Sequence, residues 1–330
     1  LLPHEFVHSW NGKFRRPAGL ATPDYNEPMK GNLLWVYEGL TEYLGEILTP
    51  RSGLSTTEDF FDSLADEAAI LDKEMGRTWR PLEDTAVAAQ VLYSSRSDYK
   101  DLRRSVDYYE EGTLIWLDVD VTIRTLSKGR KSLDDFCKLW AGAPATGPQV
   151  KPYTFEDVVH TLNAVQPYDW TKFLNDRLNS TAPHAPLNGI VNGGYNLVYT
   201  AERSDYLKNY EMVRKIVEMA FSIGLIARED GEIIDVKVDS PAFRAGLAPA
   251  AKLIAVNGRE FNPSVLRNAV AAAGRLELLV KDGEYYKTFP VDYHGGEKYP
   301  HLVRDKSKPD LLTEIIKPRT RQSTAPARSR

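Results

Sequence analysis

His4-Glu5-Phe6-Val7-His8 has the form H-E-x-x-H. On a helix, side chains four apart share a face, so both imidazoles can reach one cation. Glu5 lies one residue along, near enough to address a water on that cation without ligating it. Such a centre needs a third protein ligand and keeps one position open for water or substrate. Farther on, Trp35-Val36-Tyr37-Glu38-Gly39-Leu40-Thr41-Glu42-Tyr43 sets Glu38 in an otherwise apolar stretch, where an unpaired charge is costly and a Zn2+ ion would satisfy it. Glu42, one turn later, is the alternative third ligand, or an acceptor for the N–H of a ligating His.

The elements that must hold these groups are mostly helical up to about residue 185. Leu33 to Ile47 has the apolar spacing of a helix, as does Ser55 to Leu71 with Thr57 as its cap. Tyr108 to Leu126 is long, apolar and lightly charged, which predicts a buried helix. Ser132 with Asp135, and Thr154 with Asp157, form capping boxes with Asp in the acidic position. Ala141-Gly142-Ala143-Pro144 reads as a loop. After Pro186 the pattern turns to short strands: Tyr195–Tyr199, Ile233–Val238, and a hairpin of Leu276–Val280 with Tyr285–Phe289 around an Asp282-Gly283 turn. Short helices are expected at Ser240–Ala245 and Pro263–Ala273. From Lys317 onward the basic, acid-free sequence reads as a disordered tail.

Composition narrows the function classes. The chain has 330 residues and a formal net charge of −4, so no excess of base is present to neutralise phosphates, and nucleic acid is not an expected partner. Its apolar stretches are far short of a membrane span. One cysteine, Cys137, excludes an internal disulfide framework and a Cys-only zinc site. The chain starts Leu-Leu-Pro-His with no signal peptide pattern, and reads as lacking its natural N-terminal part. Compartment stays open between bacterial periplasm or secretion and cytoplasm. With the motif starting at residue 4, the first turn has little support, so the chain is expected to fold but to be a poor catalyst.

H-E-F-V-H-S-W-N, then F-R-R-P, then L-W-V-Y-E-G-L-T-E-Y-L-G resembles the glycyl aminopeptidase family of zinc peptidases, within the thermolysin-like gluzincins. The resemblance implies that His4, His8 and Glu38 bind zinc, that Glu5 is the base, and that the substrate is a peptide losing a small N-terminal residue. Tyr108-Tyr109-Glu110-Glu111-Gly112 resembles the segment whose Tyr hydroxyl donates to the tetrahedral oxyanion. That maps onto Tyr109, with Tyr108 adjacent, and Glu111 stands where related enzymes often have Lys. Asp239-Ser240-Pro241-Ala242-Phe243-Arg244-Ala245-Gly246-Leu247, followed by Leu253 to Arg259, resembles a PDZ domain of the bacterial protease type. Its carboxylate-binding loop would be Ser222-Ile223-Gly224-Leu225, with a peptide ligand added as a strand. The expectation is therefore an α+β chain. A helical gluzincin catalytic domain spans 1–188, a PDZ-like domain 189–300, and an extension 301–330. A zinc endopeptidase that docks substrate on the PDZ, and a non-enzymatic peptide-binding adaptor, remain as alternatives.

Overall fold

The computed structural model describes residues 2–94, 100–142 and 147–318. Its helical part opens with α1 (Leu2–Val7) and the short strand β1 (Arg15–Pro17), then α2 (Leu34–Tyr37), α3 (Gly39–Arg51) and α4 (Thr57–Asp72). Short helices α5 (Leu82–Val87), α6 (Ala89–Leu92) and α7 (Lys100–Arg103) lead to the long α8 (Glu110–Ser127). α9 (Leu133–Ala141), β2 (Lys151–Tyr153), α10 (Phe155–Val165), α11 (Trp170–Leu178) and α12 (Asn188–Asn192) complete it. β1 and β2 pair in parallel.

α8 is buried on nearly every side, which is what a helix apolar all round requires. Trp116 stacks on Trp35 of α2 with ring centroids 5.6 Å apart, and its indole N–H donates to the Trp35 carbonyl at 3.0 Å. The two aspartates that α8 buries are both paired. Asp118 accepts from Arg177 Nε at 2.9 Å, and Asp120 from Arg124 Nε at 2.9 Å and Tyr43 Oη at 2.8 Å.

The second part is rich in strands. It contains β3 (Tyr195–Thr200), α13 (Asp205–Arg214), β4 (Ile216–Met219), β5 (Leu225–Arg228), β6 (Ile233–Val236) and α14 (Pro241–Ala245). β7 (Lys252–Val256), β8 (Arg259–Glu260), α15 (Pro263–Ala271), β9 (Leu276–Asp282) and β10 (Tyr285–Val291) follow. The sheets run β4-β5-β6 and β10-β9-β7-β8. β11 (Tyr299–Arg304) returns to pair antiparallel with β3, and α16 (Leu311–Ile316) closes the described chain. The whole is a mixed α+β fold. No helix among the described residues is long and apolar enough to cross a membrane.

Several expectations shift. The helix read over Leu33 to Ile47 is divided at Glu38, between α2 and α3. The cap of α4 is Thr56, not Thr57: Thr56 Oγ1 accepts from Asp59 N at 3.0 Å, and Asp59 Oδ2 accepts from Thr56 N at 2.9 Å. Asp282 pairs with Tyr285, so the hairpin loop is Gly283-Glu284 rather than Asp-Gly; Gly283 takes φ +57°, as the first position of such a loop requires. The box at Thr154 and Asp157 is present, and Ser132 N donates to Asp135 Oδ2 at 3.0 Å.

Packing also divides the chain differently from 1–188, 189–300 and 301–330. One apolar cluster holds the helical part together with Ile190, Tyr195, Leu312, Ile315 and Ile316. A second runs from Leu207 to Tyr299. Residues 301–316 are thus strand and helix docked on the helical core, where Arg51 Nε donates to the Ile315 carbonyl at 2.6 Å. The cause is an apolar triplet, Leu312, Ile315 and Ile316, on one face of α16. Ala143 and Pro144 of the expected loop, and the tail from residue 319, lie outside the described residues.

Candidate metal centre

α1 carries His4 and lies against α3, and His8 follows in the turn that continues it, its N–H donating to the His4 carbonyl at 3.3 Å. The contact is made at Gly45, where a Cβ would come within 3.1–3.3 Å of His4 backbone and Cβ atoms. His4 is thereby pressed onto the face of α3 that also presents Glu42, with Glu38 one turn earlier. His4 Nε2 stands 3.4 Å and His8 Nε2 3.2 Å from the same atom, Glu38 Oε2. His4, His8 and Glu38 are the group among the described residues whose ligand atoms converge closely enough for a metal ion.

The other ring nitrogens are engaged elsewhere. His4 Nδ1 lies 2.5 Å from Glu42 Oε2, and His8 Nδ1 2.9 Å from the Asn11 carbonyl. Each partner is an acceptor, which in the neutral rings assigns the proton to Nδ1 and a lone pair to Nε2. With both rings neutral, three lone pairs face one another around Glu38 Oε2. Two ligands about 2.0–2.1 Å from one tetrahedral ion stand roughly 3.3–3.4 Å apart, so the spacing fits a shared cation. The electrostatics agree. Burial alone would favour the neutral forms. Contacts with Glu38 and Glu42 instead push His4 up to about 9, and contacts with His4 and His8 hold Glu38 down at about 2. His8 is raised too, against its burial, first by Glu38. The pocket stabilises positive charge beside Glu38.

The division of the helix at Glu38 has its cause in Asn11, a residue from the preceding segment. Asn11 Nδ2 donates to the carbonyls of Val36 at 2.7 Å and Tyr37 at 3.3 Å, and Thr41 Oγ1 donates to the Tyr37 carbonyl at 2.7 Å. Asn11 Oδ1 in turn accepts from Trp140 Nε1 at 3.3 Å. One buried amide therefore ties the segment after H-E-x-x-H to the backbone just before Glu38 and to the Thr41 hydroxyl after it. Asn11 and Thr41 lie within the motifs that carry the resemblance, and their part emerges only from these contacts; the signal in the sequence is a polar residue close to the candidate ligands.

Tyr109 faces this group. Its ring centroid is 6.0 Å from that of His4, and its hydroxyl contacts Glu38; burial, then Glu38, raises its pKa. Tyr108 is only 3% exposed and belongs to the core, with its pKa pushed up to about 12 by burial. Two glycines let Tyr109 and Glu38 approach: a Cβ on Gly112 would fall 2.6 Å from Gly39 Cα. Glu5 is exposed and next in the chain to His4.

Residues 1–115 match the family model of the M61 glycyl aminopeptidases. The match spans every residue of this centre. In fold, the chain is similar to the crystal structure of the aminopeptidase N family protein from Idiomarina loihiensis, with a TM-score of 0.73 and 22% identity. That likeness covers 96% of this chain and 54% of the other, so the chain spans about half the length of its structural relative. No curated protein matches it.

Proposed function

We propose that this chain is the catalytic part of a zinc-dependent peptidase, acting as an aminopeptidase on peptides with a small N-terminal residue. One observation carries the reading: two bare imidazole nitrogens and a buried carboxylate oxygen converge, while Glu42 and Asn11 fix the opposite ring nitrogens. The family match over residues 1–115 supports peptide hydrolysis and the N-terminal preference. His4, His8 and Glu38 would hold the ion, which supplies water acidified toward neutral pH and polarises the scissile carbonyl. Glu5 holds the proton taken from the attacking water and passes it to the leaving amine. The Tyr109 O–H donates to the oxygen on which negative charge develops, and its raised pKa keeps that proton in place.

The β-rich unit we infer to be PDZ-like in fold but not a peptide clamp. A clamp needs a free strand edge. β5, which follows the Ser222–Leu225 turn, is paired on one side with β4 and on the other with β6. In the turn, Ser222 Oγ already accepts from Lys298 N at 2.9 Å, and a Cβ on Gly224 would overlap Ser240.

The test is metal content together with cleavage of glycyl and alanyl peptides, free or N-acetylated. One zinc per chain, lost in His8→Ala, with cleavage confined to the free amines, is the expected result. Cleavage of blocked peptides would replace the reading by an endopeptidase; zinc-free protein with no turnover would remove it.

A further inference from the structure

Around the turn that carries Tyr109 lies a buried charged cluster separate from the convergent group of His4, His8 and Glu38. Arg77, Asp107 and Glu111 are each 1% exposed and Arg104 is 0% exposed. Arg77 Nη1 and Nη2 donate to Glu111 Oε2 and Oε1 at 2.9 and 3.3 Å. Arg104 Nη2 also donates to Glu111 Oε2, and Arg104 Nε donates to Asp107 Oδ2 at 2.6 Å. Ion pairs removed from water to this extent add little net stability, because desolvation offsets their attraction. What they do is fix geometry, and the geometry they fix is that of Tyr109.

The cluster brackets that residue. Asp107 stands two positions before it and Glu111 two after, and the turn between them is closed by Glu111 N to Asp107 O at 2.8 Å and Tyr109 N to Val106 O at 3.1 Å. Tyr109 precedes the first residue of α8 and has no side-chain cap of its own. Arg104 sits at φ +56°, an unfavourable backbone state for a residue with a side chain. It is held there by its guanidinium, which also donates to the Arg80 carbonyl at 3.1 Å, and by Gly76, whose Cα has no room for a Cβ against Arg104 N. A Tyr hydroxyl is at the far end of a long lever, so a small tilt of this turn displaces it by a large fraction of 1 Å, and about 1 Å of misplacement costs up to about 10²-fold in rate.

We propose that Arg104, acting through Glu111 and Asp107, is a positioning residue for the Tyr109 hydroxyl. This rests on the reading of Tyr109 as the oxyanion donor. It also accounts for Glu111 where a lysine stands in related enzymes: a lysine there would face two guanidinium groups.

The experiment is a double-mutant cycle on the zinc-loaded chain with Arg104→Lys, Tyr109→Phe and the two combined. kcat and KM are read on an alanyl anilide, alongside zinc content and affinity for a phosphinic dipeptide analogue that mimics the tetrahedral oxyanion. Arg104→Lys is expected to lower kcat and analogue affinity by about 10-fold or more, with KM and zinc content unchanged, and to have no further effect in the Tyr109→Phe background. Equal losses in both backgrounds, or a loss of thermal stability with unchanged kcat and affinity, overturn the proposal alone. Unchanged kcat and affinity in Tyr109→Phe itself would remove the reading of Tyr109 and the proposal with it. Should Arg104→Lys fail to fold, Arg77→Lys loosens the same Glu111 carboxylate and is read the same way.

Discussion

At the scale of single residues, the proposed function gives two glutamates beside the same histidine separable roles. Glu42 touches His4 through the nitrogen that faces away from the metal group. It fixes the tautomer and makes Nε2 a better donor, so Glu42→Gln is expected to weaken zinc binding by about 10–100-fold. Competition against a chelator measures this; unchanged affinity would leave Glu42 with a merely local role. Glu5 is exposed and is not one of the three convergent residues. Glu5→Gln keeps size while removing the base, so turnover should vanish with one zinc still bound. Substantial remaining activity would pass the proton transfer to another group.

At the scale of elements, the site depends on how closely α3 and α8 approach. A Cβ on Gly112 meets Gly39 Cα at 2.6 Å, and one on Gly39 meets the Tyr108 carbonyl at 2.7 Å. Both obstacles are backbone and cannot swing aside. In an open helix, Gly→Ala gains about 1 kcal/mol. Here Gly112→Ala is expected to reverse that sign and cost about 1–3 kcal/mol in urea unfolding, because the helices must separate. A neutral or stabilising result would mean that they are not in contact.

The same elements show what the sequence disclosed. The convergence of His4, His8 and Glu38 is legible because its signals are local: a four-residue spacing, and a charge in an apolar run. The long α8 was legible because a continuous apolar stretch needs no partner to be recognised. The division at Glu38 was not, since its cause is Asn11, a residue from another segment whose amide takes the carbonyls of Val36 and Tyr37. Nor was the Arg77–Glu111 pairing, because nothing at either position marks two charges as destined for the same dry pocket. The boundaries of the β-rich unit shifted for a similar reason. β3 finds its partner in β11, about a hundred residues away, and only the fold brings them together.

At the scale of the whole molecule, the seam between the helical part and the β-rich unit holds two carboxyl groups with too few cations. Asp66 of α4 is 8% exposed and Glu218 of β4 is 3% exposed; Asp66 Oδ1 and Glu218 Oε1 have no hydrogen-bond partner. The charged groups around them are committed. Glu211 accepts from Glu218 N at 2.7 Å and from Arg203 and Arg267, while Lys237 pairs with Asp235 at 3.1 Å and Asp101 at 3.6 Å. Burial, then Glu211, raises Asp66 to about 7; burial, then Asp66, raises Glu218 to about 8. Both folded values lie above the ordinary carboxyl range near pH 4, so between about pH 4 and 8 the folded state binds more protons than the unfolded one. Stability must then fall as pH rises through that window, the reverse of a carboxylate held by a salt bridge. Thermal unfolding of the zinc-free chain between pH 5 and 9 should show a falling Tm. Asp66→Asn with Glu218→Gln removes the two ionisations while keeping the shapes, and should flatten the slope above pH 6 and raise Tm at pH 8. An equally steep slope in the double variant would place the pH dependence elsewhere, and a rising Tm in the parent chain would show that the seam finds a cation for these carboxylates.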